Sequence, residues 1–380
     1  MKILYCLPSL YHSGGMERIL TEKANWLVEH GYDVDILTTD QNNRAPFFKL
    51  SDKINLIHLD INFSEHYNAN PLKKYFLHYK RLYEYKSQLQ KIAQQNAYDI
   101  IVSLCGKEIE FLTSLRCKAK KVAELHFSQN FKSQFIESNH EGALYRIIGK
   151  WLTRSFVRST KNLDALVVLT KDDMQQWLKT NKNIHQIYNF IPTSNEYSQR
   201  THTINKRCVA VGRLDAQKGF DLLIKSWQQV VKAAPNWKLE IFGIGEWKDK
   251  LSKEISDSGL DGKVILRGQS NNIGEELGKS DVFILSSRYE GFPMVLLEAL
   301  KAGLPIVAYD CKTGPKEIVE DGQNGYLIPN GDVDEMANTI IRLTEHPEHL
   351  ETFGSRSLEI CDKFEKESIM QQWDKLFKAI

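Results

Sequence analysis

Two glutamates bracket a predicted turn and helix, with Glu290 in the turn and Glu298 inside the helix. An apolar run over 282–285 comes just before them and predicts a buried strand. A helix that begins where a parallel strand ends offers free N–H groups and its dipole to an anion. Carboxylates, by contrast, bind hydroxyl groups. The arrangement therefore favours a ligand that carries both phosphate and hydroxyls, such as a sugar nucleotide.

Chance is the alternative explanation for this pair, because 26% of all residues are charged. Glu298, however, interrupts an otherwise apolar helix over 294–300. A buried carboxylate is costly unless it has hydrogen-bond partners, so this helix is a poor place for a glutamate that is merely solvated. We therefore predict that both glutamates bind a ligand.

Two cations lie in a second loop of the same kind. Residues 212–219 follow the predicted strand 208–211 and precede a helix, which places Arg213 and Lys218 at the ligand-binding edge of a parallel sheet. Arginine presents a planar fork that matches phosphate oxygens, and lysine adds a compact charge. Two cations that face one diphosphate would stabilise the negative charge that grows as it leaves.

Glycines occupy corresponding loops elsewhere in the sequence. Gly14 and Gly15 follow the first predicted strand, where glycine permits positive φ and a close approach of the backbone to a ligand. The alternative is a tight turn with Ser13 as the helix N-cap. Gly243 begins a G-x-G pair after a strand, but the third glycine of the dinucleotide fingerprint is absent. We expect Gly243 to shape the wall around a nucleotide.

One histidine and one acidic pair complete the candidates. His126 follows the predicted strand 121–124, where an imidazole could bond a sugar hydroxyl, although a single histidine is more often structural. Asp33 and Asp35 resemble an acidic pair that binds a metal, yet their alternation with Val34 is also what an ordinary strand shows. We predict no essential metal and no bound cofactor.

The composition indicates two domains with different ligands. A chain of 380 residues with 42% hydrophobic residues can bury two cores. Residues 1–200 carry 27 Lys and Arg against 20 Asp and Glu, a balance of +7, whereas residues 201–380 carry 23 against 28, or −5. This asymmetry suggests separate partners for the two halves, with ordinary fluctuation as the alternative.

Cysteine usage predicts a cytoplasmic protein. None of the six cysteines has a metal-binding spacing, and they lie mostly in or beside apolar runs, as reduced structural thiols do. The first seven residues are too short for a signal sequence, and no stretch approaches the roughly 20 apolar residues of a membrane span. Any membrane contact would then be at the surface of the bilayer.

Strands alternate with amphipathic helices throughout, which predicts a doubly wound α/β architecture. A helix over 16–30 follows the first strand, and the aperiodic stretch 193–205 reads as a linker. The expected domains are therefore 1–192 and 206–365, followed by a C-terminal helix over 366–380. The predicted strands are 3–7, 34–38, 54–58, 100–104, 121–124 and 165–169 in the first domain, and 208–211, 238–242, 263–266, 282–285, 305–308 and 325–328 in the second.

Two segments of the first domain, 72–91 and 143–161, combine basic and aromatic residues. Helices with such faces suit an anionic membrane interface. The same composition also suits single-stranded nucleic acid, and the plainest alternative is a packed helix with a solvated outer face. We favour peripheral contact with an anionic membrane on the inner face of the cytoplasmic membrane, and no nucleic-acid partner.

Taken together, these motifs resemble the retaining glycosyltransferases of family 4, which have the GT-B fold. Further matching residues are Gly314, Pro315, Glu317 and Ile318, then Asp321, Gly322 and Gly325. The likeness covers essentially the whole chain and is most specific over 207–328. It implies two Rossmann-like, doubly wound domains facing across a cleft, with the acceptor on the first, the nucleotide-sugar donor on the second, and a final helix that crosses back to the first.

The resemblance also implies a role for each motif residue. Arg213 and Lys218 would hold the diphosphate, Glu298 the ribose hydroxyls, and Glu290 and His126 the donor sugar. The catalytic residues that the resemblance implies are Glu290, His126, Arg213 and Lys218. The remaining donor-binding residues are Gly14, Gly15, Gly243, Gln269, Gly291, Phe292, Pro293, Met294 and Val295.

The family transfers a sugar with retention at the anomeric carbon and without a metal. The loop over 310–315 is similar to that of members that use UDP-hexose or UDP-N-acetylhexosamine in bacterial surface-polysaccharide assembly, so a UDP-sugar donor and a glycan or lipid-linked acceptor are expected. A GDP-mannose-dependent mannosyltransferase, a nucleotide-sugar epimerase or hydrolase of the same fold, and a non-catalytic binding protein are the alternatives.

Overall fold

The structure is a computed structural model that describes residues 1–63, 71–139, 142–193, 197–201, 203–270 and 272–380; for 71–75, 138 and 139 it describes the backbone alone. It divides into two compact units. The first comprises Met1–Gln129, Lys150–Tyr188 and Glu367–Ile380, and the second comprises Asn130–Gly149 and Asn189–Lys366. Residues 194–196 and 202 of the predicted linker lie outside the described residues.

The first unit is built on a parallel sheet in which seven described strands follow the order β3-β2-β1-β4-β5-β6-β7. Six of them confirm the predicted strands to within a residue at each end. Their bounds are β1 (Lys2–Leu7), β2 (Asp33–Thr38), β3 (Asn55–His58), β4 (Ile100–Ser103), β5 (Lys120–Leu125), β6 (Ala165–Val168) and β7 (Ile184–Gln186).

The edge strand β7 is absent from the sequence prediction. It has three residues, of which only Ile184 is buried, because an edge strand pairs on one side alone. A single apolar residue gives no alternation, so nothing in the sequence marks this strand.

Five described α-helices precede β7 in the chain. The helix predicted from residue 16 begins one residue earlier, and its N-cap is Gly14 without a side-chain cap, so the alternative of Ser13 as N-cap is wrong. The bounds are α1 (Gly15–Glu29), α2 (Pro71–Gln95), α3 (Phe131–Asn139), α4 (Ala143–Ser159) and α5 (Lys171–Trp177). Of these helices, α3 and the start of α4 belong to the second unit.

The second unit repeats the same strand order, with its six described parallel strands arranged β10-β9-β8-β11-β12-β13. All six predicted strands of this half are confirmed, with ends shifted by at most two residues. The bounds are β8 (Arg207–Val211), β9 (Lys238–Phe242), β10 (Val264–Gly268), β11 (Val282–Leu285), β12 (Ile306–Asp310) and β13 (Gly325–Pro329).

Helices surround this second sheet, and the strongly amphipathic ones bury an apolar stripe against it. Leu223, Ile224 and Trp227 of α6, for example, belong to the same core as the strand residues Ala210 and Ile241. The bounds are α6 (Phe220–Ala233), α7 (Lys248–Asp257), α8 (Ile273–Gly278), α9 (Met294–Lys301), α10 (Pro315–Ile318), α11 (Val333–Glu345) and α12 (Pro347–Ile360).

The C-terminal helix α13 (Lys366–Ala379) packs on the first unit from residue 367 onward. Trp373 and Phe377 are buried there, and Trp26 Nε1 donates a 2.8 Å hydrogen bond to Glu367 Oε2. Tyr32 likewise donates to Asp374 at 2.6 Å. The last helix of the chain is therefore an integral part of the first unit.

Both sheets reverse their strand order beside their first strand, between β1 and β4 and between β8 and β11. At such a switch point the loops at the carboxyl ends of neighbouring strands diverge and leave a crevice for a ligand. No helix in the described part of the chain is both long and apolar enough to span a bilayer.

Candidate active site

In the second unit the loops after β8 and β11 lie side by side. Ser286 Oγ donates to Lys218 O at 2.9 Å, and Arg288 N donates to Gln217 O at 2.8 Å. Gly219, at φ 63°, has no room for a side chain, since an added Cβ would lie 2.1 Å from Ser286 O. The two loops therefore come together along their backbones.

Arg288 locks this arrangement with a bidentate ion pair. Its guanidinium nitrogens lie 2.9 and 2.7 Å from the two carboxylate oxygens of Asp221 in the first turn of α6, and Nη1 also donates to Ala216 O at 2.8 Å. Burial raises the pKa of Asp221, but the hydrogen bonds and charge of Arg288 outweigh it and hold the pKa below its usual range. Sequence reasoning missed this pair. The sequence feature that could have predicted it is an arginine shortly after one strand together with an aspartate shortly after Gly219.

Lys218 and Glu290 meet where the two loops converge. Lys218 Nζ lies 2.7 Å from Glu290 Oε1, and their side chains are only 13% and 7% exposed. The Thr313 hydroxyl donates to Glu290 O and fixes the backbone of that turn. The predicted diphosphate cation and the predicted sugar-binding carboxylate are thus direct neighbours.

Arg213 is placed differently. Its guanidinium Nη2 lies 3.2 Å from Asp215 Oδ2 and 3.1 Å from Gln217 Oε1, and its side chain remains 71% exposed. Exposed ion pairs of this kind exchange readily with solvent, so Arg213 can turn toward a ligand at little cost.

The glycines of the second unit allow close backbone packing beside this loop. Gly243 has φ 149°, and a Cβ on it would lie 1.8 Å from Gly212 O. A Cβ on Gly245 would lie 2.3 Å from Leu214 O. A pocket of about 410 Å³ opens here, lined by Phe135, Arg213, Asp215, Ala216, Gln217, Gly245, Glu246 and Tyr289.

The turn over 291–293 leads into α9, whose N-cap Pro293 makes no side-chain cap. Gly314, at φ 99°, packs against this turn, with its Cβ position 2.5 Å from Pro293 Cδ. Phe292 is buried with its ring 5.9 Å from that of Phe364, and Asn189 Nδ2 donates to Met294 Sδ at 3.3 Å. The contacts fix the turn, and its N-cap residue Pro293 offers no side-chain acceptor to the first N–H groups of α9.

The other predicted residues of this unit are spread around the turn. Glu298 is 8% exposed, one turn into α9. Gly291 and Val295 are half-buried, whereas Gln269 follows β10 and is exposed.

In the first unit His126 follows β5 and lies beside a buried ion pair. Its Nε2 is 3.2 Å from Glu124 Oε1, and Lys23 Nζ is 2.5 Å from the same oxygen. Glu124 and Lys23 are both 1% exposed. Sequence reasoning assigned no role to this pair, because Lys23 lies on the buried side of a helix about a hundred residues away.

The predicted approach of the Gly14–Gly15 backbone to a ligand stays a prediction. Gly14 has φ −75°, an ordinary value, so it does not use the positive φ that glycine permits. A Cβ on Gly14 would meet Glu17 Oε2 at 2.3 Å, which is the movable end of a side chain.

Asp33 and Asp35 form ion pairs with Lys2 at 3.5 and 3.7 Å, and Tyr98 donates to Asp35. These are the contacts of a strand. Across the residues that the structure describes, no three His, Cys, Asp or Glu side chains are grouped as a metal site would require.

Two family descriptions match the chain in succession: Glycosyltransferase Family 4 over residues 13–195 and Glycosyl transferases group 1 over residues 196–359. An uncharacterised glycosyltransferase of Haemophilus influenzae is 30% identical over 98% of both chains. Poly(ribitol-phosphate) alpha-N-acetylglucosaminyltransferase of Staphylococcus aureus is 32% identical over 59% of this chain and 45% of that protein. The crystal structure of TarM superimposes with a TM-score of 0.80 at 19% identity, covering 99% of this chain and 98% of that chain, a likeness of fold.

A chain with two parallel Rossmann-like sheets and these neighbours has the GT-B architecture. It belongs to the family 4 glycosyltransferases, and the resemblance read from its motifs is confirmed.

Replacing Asp221 with Asn should lower thermal stability, because Arg288 then loses half of a charged fork. We expect a loss of about 1–3 kcal/mol at neutral pH. Because the pKa of Asp221 is lowered in the folded protein, its contribution is complete above the unfolded-state value and disappears as the pH falls through the folded value. The gap in melting temperature between wild type and Asp221→Asn should therefore narrow below about pH 4.

The control for this prediction is Asp249→Asn, which changes an aspartate at an exposed position. An equal gap at pH 7 and pH 3 would contradict this assignment.

Proposed function

We propose that the protein is a retaining, metal-independent hexosyltransferase that moves a hexose or N-acetylhexosamine from a UDP-sugar to a glycan or lipid-linked acceptor in bacterial surface-polysaccharide synthesis. The observation that carries the proposal is the buried contact of Lys218 with Glu290. In this contact a cation of the kind that binds phosphate lies beside a carboxylate of the kind that binds hydroxyls, which supports a sugar diphosphate as the ligand.

The donor would bind the second unit through its diphosphate. Lys218 and the exposed fork of Arg213 bind the phosphate oxygens, and the first N–H groups of α9, whose N-cap Pro293 provides no side-chain cap, are a third source of positive charge. Glu298 accepts hydrogen bonds from the ribose hydroxyls, and Gln269 faces the nucleotide base. A TarM mutant of S. aureus, with a TM-score of 0.79 to this chain, crystallised with fondaparinux, alpha-GlcNAc-glycerol and UDP, which supports UDP as the nucleotide here.

In the transfer, the bond between the anomeric carbon and the β-phosphate oxygen breaks, and a bond to the acceptor oxygen forms on the same face. The proton of the acceptor hydroxyl passes to the departing phosphate, and UDP leaves. Arg213 and Lys218 stabilise the charge that develops on the diphosphate, which is the work a divalent metal does in other sugar transferases. Glu290 and His126 hold the sugar during this exchange.

The acceptor would lie on the basic first half of the chain, at an anionic membrane surface on the cytoplasmic side. Helix α4 supports this part of the proposal, since it carries four basic residues and no acidic one. Its large apolar side chains Leu144, Ile147 and Trp151 are 66, 64 and 65% exposed. They recur at positions i, i+3 and i+7, and the basic residues lie beside them on the helix surface, so α4 exposes the apolar and cationic side chains that an anionic lipid interface attracts. The predicted basic residues Lys73 and Lys74 have side chains outside the described residues.

Nucleotide binding can be tested by thermal shift without knowledge of the sugar. UDP at about one hundred times its Kd should stabilise the protein by about 2.7 kcal/mol, whereas GDP should not. Lys218→Gln should weaken UDP binding at least about tenfold, because a charged hydrogen bond to phosphate is lost. Lys225→Gln, at an exposed position in α6, is the matched control. Stabilisation by GDP and not UDP would instead indicate the mannosyltransferase alternative.

Turnover can then be tested with the donor sugar that binds. In the presence of EDTA the protein should transfer the sugar, and the anomeric coupling of the product by NMR should match that of the donor. Sugar release with no glycosylated product would indicate a hydrolase. Inverted stereochemistry, or activity that needs added metal, would contradict the proposed mechanism.

Membrane contact can be tested by sedimentation with vesicles. Wild-type protein should bind phosphatidylglycerol vesicles at moderate salt and not phosphatidylcholine vesicles, and Trp151→Glu should abolish most binding. Leu178→Glu replaces a residue that is 53% exposed outside α4 and should bind like wild type. Failure of the wild-type protein to bind anionic vesicles would remove the membrane from the proposal.

A further inference from the structure

A buried charged cluster lies directly behind His126 in the first unit. It consists of Glu124 from β5, Lys23 from α1 and the ring of Trp373 from α13. Lys23 Nζ lies 2.5 Å from Glu124 Oε1 and 3.6 Å from the centre of the Trp373 ring. Three elements that are far apart in the sequence therefore meet on one carboxylate.

Lys23 keeps this carboxylate ionised. Burial raises the pKa of Glu124, but the charge of Lys23, aided by His126, more than compensates and lowers the pKa to about 2. Trp373 covers the ammonium group with the face of its indole, which stabilises a cation that has lost its water. Without Lys23, a carboxyl group that is 1% exposed would tend to take up a proton.

Glu124 has hydrogen-bonding capacity to spare. Within the described residues its Oε2 has no hydrogen-bond partner. His126 Nε2 stands 3.2 Å from Oε1, within ion-pair distance although not aligned as a hydrogen bond. Glu124 lies near the end of β5 and His126 follows that strand directly, which brings the two side chains together. A small rotation of the ring would bring Nε2–H onto the carboxylate.

We infer that Glu124 is a positioning residue that fixes the ring and tautomer of His126, and that Lys23 and Trp373 hold Glu124 in that role. The carboxylate accepts a hydrogen bond from Nε2–H, which keeps the proton on Nε2 and leaves Nδ1 as the acceptor that the ring offers to a sugar hydroxyl. This inference rests on the proposed function in assigning His126 to the sugar. It also gives the C-terminal helix a role, because Trp373 of α13 helps to hold the residues that orient His126.

Other titratable groups face this cluster and define its surroundings. Glu17 on α1 and His12 in the loop before it interact electrostatically with each other, and Glu17 also with His126. Tyr5 on β1 is fully buried and interacts with Glu124. Burial raises the pKa of both Glu17 and Tyr5. Glu124 Oε1, by comparison, lies 3.2 Å from Nε2 of His126.

A purely structural role is the competing explanation, in which Lys23 and Glu124 only join α1 and α13 to the sheet. The double variant Lys23→Met/Glu124→Met separates the two. Replacing both members of a buried ion pair with apolar residues of similar volume is often neutral for stability, whereas removing one leaves an unpaired buried charge. Methionine also packs well against an aromatic ring.

The decisive measurement is the tautomer of His126 in the full chain, from long-range ¹H–¹⁵N spectra of protein labelled in histidine, with His126→Asn to identify the signal. Wild type should carry the ring proton wholly on Nε2, and the folded double variant should show a mixture of the two tautomers. A wild-type ring protonated on Nδ1, or a folded double variant with the wild-type tautomer, would overturn the inference. A wild-type ring protonated on Nδ1 overturns the inference even if the double variant does not fold.

Activity gives a second readout once a donor is known. The double variant should lose roughly ten- to hundredfold in kcat/KM, a loss like that seen when the carboxylate that orients a metal-bound histidine is removed. Glu108→Gln alters another buried carboxyl of the same unit, one hydrogen-bonded by Ser103 and Tyr85, and should retain wild-type kcat/KM. If wild type transfers no sugar at all, the proposed function fails, while the tautomer measurement still tests the role of Glu124.

Discussion

The contact between Lys218 and Glu290 depends on the bidentate pair between Arg288 and Asp221. Lys218 and Glu290 belong to loops 72 residues apart in the chain, and neither loop is regular secondary structure. Arg288 ties the second loop to the first turn of α6, the helix that the first loop begins. A planar fork on two carboxylate oxygens fixes both distance and orientation, which a lysine could not do. The positions of Lys218 and Glu290 relative to each other therefore depend on the position of the Arg288 guanidinium.

Each of the two units neutralises charged side chains near the end of its sheet with a different ion pair. Each sheet brings charged side chains to the carboxyl ends of its strands, where they are partly removed from water. In the second unit Lys218 and Glu290 neutralise each other, and in the first Lys23 and Glu124 do so behind His126. In both cases a partner from a distant segment provides the counter-charge. Mutual neutralisation lets opposite charges persist where little water reaches them.

The fold was largely predictable because local patterns specified it. Twelve predicted strands are confirmed, since buried parallel strands are short apolar runs bounded by turn residues. The three-residue edge strand β7 escaped prediction, because one buried isoleucine makes no pattern. The N-cap of α1 was open to misassignment for a related reason. Ser13 is a favourable capping residue, yet the chain uses the backbone of Gly14.

The sequence by itself determined which residue types stand where strands end: Arg213 and Lys218 after one strand, Glu290 after another, His126 after a third. Strand and helix periodicity are local properties, so they can be read along the chain. Only the tertiary structure decided which of these side chains touch and which partners hold them. Contacts such as Arg288 with Asp221, or Lys23 with Glu124 and Trp373, join segments whose separation leaves no periodic trace. They arise from the packing of complete elements, which no local pattern encodes.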